Sequence, residues 1–161
     1  MAKAKKAIPE GYTSITPMLT FDSGARQAID WYKKALGAEE LGCHYGPDGK
    51  VTHALIRIGN ARIMMNDAMS GAKGPKALGG CPTTLWVYAE DSDAAWKRAT
   101  ADGVKIVMPL ADQFWGDRCG AFVDPFGFTW WIATHKEDLT DKELEHRQTA
   151  FFEKMAGSAR K

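Results

Sequence analysis

A strand–helix–three-strand pattern is written twice along this chain, and that duplication limits its fold more than any other feature. The first copy opens on Ile15-Thr16-Pro17-Met18-Leu19-Thr20-Phe21, whose alternation reads as a strand. Ala28, Ile29, Tyr32 and Leu36 follow at helical spacing between Ala25 and Leu36, and Gly37 supplies the stop. A strand over 39–45, a turn at Gly46-Pro47-Asp48-Gly49, and strands over 51–58 and 61–66 joined by Gly59-Asn60 complete the unit. After a Gly/Pro/Ala-rich linker the order returns. A strand over 83–89 leads to a helix over 92–101 stopped at Gly103, a strand over 105–110, and a hairpin over 118–133 closed by Asp124-Pro125-Phe126-Gly127. Gly37 and Gly103 hold corresponding places, and the same offset relates His53 to Cys119. The expected organisation is a flexible N-terminal tail over 1–12, a first βαβββ module over 13–68, a linker over 69–81, a second module over 82–135, and a C-terminal helix and tail over 136–161. The fold class is α+β, with paired modules forming curved mixed sheets around a cavity and helices outside.

Side chains alternate between the two faces of a strand, so each strand can be sorted into an inner and an outer set. Across Gly59-Asn60, Ala54, Ile56, Ile58, Ala61, Ile63 and Met65 share one face; His53, Leu55, Arg57, Arg62, Met64 and Asn66 share the other. In the two opening strands Ile15, Leu19 and Phe21 oppose Thr16, Met18 and Thr20, while Leu85, Val87 and Ala89 oppose Thr84, Trp86 and Tyr88. Pairing the final hairpin across Asp124–Gly127 puts Ala121, Val123, Phe128, Trp130 and Ile132 on an apolar face. Arg118, Gly120, Phe122, Thr129 and Trp131 fall on a mixed one. A one-residue slip in register would invert any of these assignments. One apolar face per sheet calls for helices behind it; an aromatic and cationic face calls for a ligand cavity in front.

The formal net charge of +1 gives no electrostatic case for nucleic acid or an anionic membrane. No apolar run approaches the roughly 20 residues that span a bilayer, and the Lys-rich start lacks the apolar core of a signal peptide. Cys43, Cys81 and Cys119 are odd in number and lack CxxC spacing, so free thiols in a reducing, cytoplasmic setting are expected.

Pro17-Met18-Leu19-Thr20-Phe21-Asp22 with Ala28-Ile29-Asp30-Trp31-Tyr32 resembles the vicinal oxygen chelate superfamily of glyoxalases, bleomycin-resistance proteins and extradiol dioxygenases. Phe114-Trp115-Gly116-Asp117-Arg118, Asp124-Pro125-Phe126-Gly127 and Ile132-Ala133-Thr134-His135 resemble its PhnB-like branch. The resemblance covers about residues 13 to 155 and implies paired βαβββ modules curling round a cavity, usually in a homodimer. Metal-dependent members carry His, Gln or Glu at the cavity-facing positions of each module's first and last strands. Carried over, those positions are Met18, Met64, Thr84 and Trp131, none of which suits a divalent metal. The resemblance thus points away from lyase, isomerase and dioxygenase chemistry and toward the metal-free binding members.

The expected ligand site is lined by Trp86, Tyr88, Arg118, Phe122, Trp131, Arg57, Met64 and His53, a set suited to an aromatic or conjugated anionic compound. No cofactor is expected. The rival arrangement is His44 with His53, which share a face if the turn at 46–49 is tight and would give a glyoxalase-like metalloenzyme unconventional ligands. A third reading is a scaffold with a filled cavity. Cys119 reads as a buried inert thiol on the apolar face, Asp124 and Gly127 as turn-formers, and His135 as part of a solvated connection. Thr140 with Glu143 forms a capping box opening a helix over 141–155, whose Leu144, Phe151, Phe152 and Met155 are expected to pack on the domain or on a second copy.

Overall fold

The structure is a computed structural model that describes residues 6–158, so the first five residues of the expected N-terminal tail and the last three of the C-terminal one lie outside the described residues. The first module runs β1 (Met18–Phe21), α1 (Ala25–Leu36), β2 (Glu39–Tyr45), β3 (Val51–Ile58) and β4 (Ala61–Asp67). A short α2 (Pro75–Leu78) crosses the linker. The second module is β5 (Thr84–Tyr88), α3 (Ser92–Ala99), β6 (Lys105–Asp112), β7 (Asp117–Val123) and β8 (Thr129–His135), and α4 (Asp141–Ser158) is the last described element. Each module makes one four-stranded mixed sheet, ordered β1-β4-β3-β2 and β5-β8-β7-β6, with the first strand of the module parallel to its last.

Local chemistry explains the element ends. Gly37 closes α1 in the left-handed region and donates to the Tyr32 carbonyl. Gly24 offers α1 no side-chain cap; instead the buried Asp67 accepts from the Ala25 N–H at 2.9 Å and, through its other oxygen, from the Val51 N–H at 2.8 Å. Asp91 caps α3 by accepting from Ala94. Asp22 accepts backbone N–H bonds from Gly74, Lys76 and Ala77 at the start of α2, an element absent from the sequence expectation. The expected first strand is shorter than drawn. Ile15 lies outside it and is 85% exposed, because the chain bends ahead of Pro17, which has no N–H for the ladder. The capping box of α4 forms as expected, Thr140 N–H and Oγ1 both donating to Glu143. Phe151 and Phe152 of α4 lie 5.1 and 6.4 Å from Phe114, yet both, with Met155, remain exposed.

Both sheets turn their apolar faces to one shared core that holds α1 and α3. Tyr32 of α1 meets Trp130 of β8 at 5.2 Å between ring centroids, and Phe21 of β1 meets Phe128 at 5.1 Å. Asp124 fastens this junction. It is 4% exposed, and each oxygen takes two donors: Phe126 and Phe128 N–H on Oδ1, Tyr32 O–H and Trp130 Nε1–H on Oδ2. It therefore joins the first module's helix to the second module's hairpin and is more than a turn-former.

The final hairpin departs from its expected parity. Its turn holds Phe128 as a fifth residue, whose N–H donates to Asp124 and whose carbonyl accepts the Asp124 N–H, so Val123 pairs with Thr129 rather than with Phe128. An odd loop inverts one strand relative to the other. Trp130 and Ile132 keep their expected core face, but on β7 it is Arg118, Gly120 and Phe122 that face the helices, while Cys119, Ala121 and Val123 join the open side.

Candidate functional site

The candidate site lies on the sheet faces turned away from the shared core. On the second sheet, Trp86 and Trp131 are directly paired across the parallel β5–β8 ladder, which brings their indoles together face to face. Their ring centroids are 4.4 Å apart with planes 6° from parallel, and Tyr88 continues the row 6.1 Å from Trp86. Trp86 stays 40% exposed and Tyr88 61%, so this apolar surface has not been used by the chain's own packing. On the first sheet the open face carries Met18 opposite Met64, Arg57 beside Arg62, and His44 opposite His53.

Two of the expected lining residues belong elsewhere. Phe122 is fully buried on the helix side, 6.3 Å from Trp31 and 6.0 Å from Trp96, so it is a core residue and not part of the open aromatic row. Arg118 shares that inverted parity. It is held by both oxygens of Asp93 on α3 and by Asp112, which raise its pKa further above the ordinary guanidinium value. Arg57 does lie on an open face, though on the other sheet and paired with Glu39. Cys119 is buried, as expected of an inert thiol, and burial pushes it up to about 11, but its parity is that of the open face.

At the end of the aromatic row the same face holds a cluster that sequence reasoning missed. Asp117, 5% exposed, accepts from Tyr88 Oη at 3.1 Å and contacts His135 Nδ1 at 2.8 Å. His135 Nε2 meets Asp138 at 3.0 Å, so the imidazole lies between two carboxylates and its pKa is raised above the usual 6.5, Asp117 acting first. Burial and the Asp117 carboxylate together raise the Tyr88 hydroxyl as well. The signal that could have found this cluster is parity counted from Trp131, which puts His135 two steps further along the same face.

The residues at the positions that would hold the metal implied by the resemblance are a poor match for it. Met18, Met64, Thr84 and Trp131 offer two thioethers, a hydroxyl and an indole already stacked on Trp86, and this donor set does not fit a divalent cation. His44 and His53 face each other because two irregularities cancel. The turn is one residue longer than drawn, pairing Tyr45 with Val51, and a register shift between His44 and Tyr45 restores His44 to the face of His53. Among the described residues, no group of three or more His, Cys, Asp or Glu gathers where it could hold a metal ion.

A deeper cleft opens on the helix side, between the two modules. It has a volume of about 430 Å³ and is walled by the end of α1, the β3–β4 turn, β5 and α3.

Comparison with known proteins gives concordant results. The Glyoxalase/Bleomycin resistance protein/Dioxygenase superfamily matches residues 14–132 of the chain. Protein Mb0911c of Mycobacterium bovis is 41% identical over 137 residues, covering 82% of this chain and 90% of that one. Among solved structures, a putative 3-demethylubiquinone-9 3-methyltransferase, PhnB protein, from Bacillus cereus superposes with a TM-score of 0.61 at 21% identity, over 76% of this chain and 99% of its own. TnmS3, an antibiotic binding protein from Streptomyces sp. CB03234, superposes with a TM-score of 0.55 at 18% identity, over 77% and 98%. At those identities the two structures speak for the fold alone.

Proposed function

Because this chain belongs to the glyoxalase, bleomycin resistance protein and dioxygenase superfamily, with a fold like that of PhnB proteins, we propose that it is a metal-independent small-molecule binding protein that holds a flat aromatic or conjugated compound against Trp86 and Trp131. The observation that carries this reading is the parallel indole pair left open to solvent beside Tyr88. A third ring stacked on such a pair gains both buried area and favourable quadrupole geometry, about 0.5–1.5 kcal/mol per contact beyond burial itself. In TnmS3 the same fold serves an antibiotic binding protein, which is consistent with a small-molecule role for this fold.

The anionic character expected of the ligand loses its original support. Arg118 is on the helix side and Arg57 is matched by Glu39. The charged groups at the Tyr88 end of the row are Asp117 and His135, which favour a ligand edge carrying hydrogen-bonding groups of either kind. His53, Met64 and Arg57 line the open face of the first sheet, and a second copy of the chain would bring such a face opposite the stack. The proposed functional unit is accordingly a homodimer.

Tryptophan fluorescence during titration with a library of planar heteroaromatics tests the reading, together with metal analysis of protein purified without a histidine tag. We expect saturable quenching that is lost in Trp131→Ala at unchanged circular dichroism. A stoichiometric metal that disappears in His53→Ala would overturn it in favour of the metalloenzyme.

A further inference from the structure

The cleft between the modules shares β5 with the aromatic row, so that Trp86 and Tyr88 border both, but its remaining residues describe a different ligand. Leu36 of α1, Ile58 of β3, Ile63 of β4, Leu85 and Val87 of β5 and Ile132 of β8 give it an apolar wall, and at about 430 Å³ it is within the usual size range of small-molecule sites. Its position in the fold is informative. Leu85 and Val87 have the parity of core residues and pack against the edge of the shared core, yet remain only half-buried. An open apolar cleft of this size, walled in part by half-buried aliphatic side chains, offers a small molecule apolar surface to cover.

Charge narrows the class. Arg98 of α3 lines the cleft, with its Nε–H donating to the Ala35 carbonyl at 3.3 Å at the C-terminal end of α1. Arg26, Arg57, Arg118 and Arg147 are each paired with a carboxylate. Arg98 has no carboxylate within ion-pair distance among the described residues, and one backbone carbonyl uses only one of its five N–H donors. An unneutralised guanidinium beside an apolar chamber matches a molecule with an aliphatic body and a single carboxylate head, which the fork of Arg98 can take in two parallel hydrogen bonds.

We infer that this inter-module cleft is a second binding site, for a medium-chain aliphatic carboxylate, with Arg98 holding the head group and the Leu85–Val87 strand lying along the chain. It does not depend on the stacked pair, since Trp131 takes no part in the cleft, and Leu85 and Val87 alternate along β5 with Trp86 and Tyr88 and face the other way.

Decanoate and decanol serve as probes, followed by isothermal titration calorimetry and by the shift in thermal midpoint of the full chain. Decanoate should bind saturably and raise the midpoint. Arg98→Gln, an exposed change that leaves the core intact, should weaken decanoate about tenfold or more while decanol is unaffected, the loss of a charge-assisted pair. Val87→Phe, which fills the chamber, should abolish both. Decanoate binding should survive in Trp131→Ala, so that failure of the stacking site and failure of this one are told apart. Absence of saturable decanoate binding, or binding that Arg98→Gln and Val87→Phe both leave unchanged, would overturn the assignment.

Discussion

At the scale of single residues, Asp124 shows how a turn-forming side chain can hold a fold together. Burial raises its pKa, and the donors from Tyr32, Trp130, Phe128 and Phe126 work in the opposite direction by favouring the ionised form. An amide cannot replace it, because its NH2 would meet two donors at the position of whichever oxygen it displaced. We expect Asp124→Asn to lower stability by about 2–3 kcal/mol, read from urea denaturation. A loss within experimental error would mean that the four donors are satisfied by other means. His135 is a second case. Its raised pKa means that the protonated ring is favoured by folding, so its contribution is fully present below pH 6.5 and disappears as pH rises through the raised folded value. In an NMR titration the His135 Cε1 proton should therefore show a midpoint above 6.5, falling toward 6.5 in Asp117→Asn; an unchanged midpoint in that variant would show that Asp117 does not set it. Neither role stands out in the sequence. An Asp before Pro announces a turn whatever else it bonds, and His135 ends the last strand, where only its parity with Trp131 points to the open face and nothing local marks its partners.

Elements were more legible, and where the assignment of strand faces misled the reason is loop length. In the first module the two-residue Gly59-Asn60 connection leaves no choice of register, and the faces of β3 and β4 follow from alternation alone. In the second, Asp-Pro-Phe-Gly suggests a four-residue turn, but Asp124 draws Phe128 into it through both a side-chain and a backbone bond, and one extra residue exchanges the two faces of β7. That exchange moved Phe122 into the core and Arg118 onto α3, and it put Gly120 against Trp96 of α3. A Cβ on Gly120 would lie 2.7 Å from the Trp96 ring and 2.8 Å from the Leu110 backbone nitrogen. Gly120→Ala should therefore push α3 off the sheet and cost about 1–3 kcal/mol, seen as a lower thermal midpoint. If Trp96→Leu in the same chain fails to restore part of the loss, the helix–sheet contact is not its origin.

The arrangement of the whole molecule could not be read from periodicity, because alternation says which residues share a face without saying what that face meets. The doubled pattern leads to two sheets with helices behind them and a cavity expected in front, without saying whether one copy of the chain or two would enclose it. In the structure the two modules pack through their helix sides around one core, and the open faces point away from it with Met18 53%, Trp86 40% and Tyr88 61% exposed. Large apolar side chains left exposed in a row along edge strands are a hazard for an isolated molecule. A second copy that brings the open face of its first sheet over the aromatic row would cover them and enclose the ligand at the same time. Sedimentation equilibrium should then give a species of twice the 17.7 kDa chain mass. Trp86→Asp, which introduces an uncompensated charge on that face, should shift it to monomer with its circular dichroism intact. Ligand quenching should fade with dilution in step with dissociation of the wild-type dimer, since half of the enclosure leaves with the second copy. A chain that sediments as a monomer at every concentration yet still quenches would show that the indole pair binds without a second wall, and the homodimer would have to be abandoned while the stacking site stood.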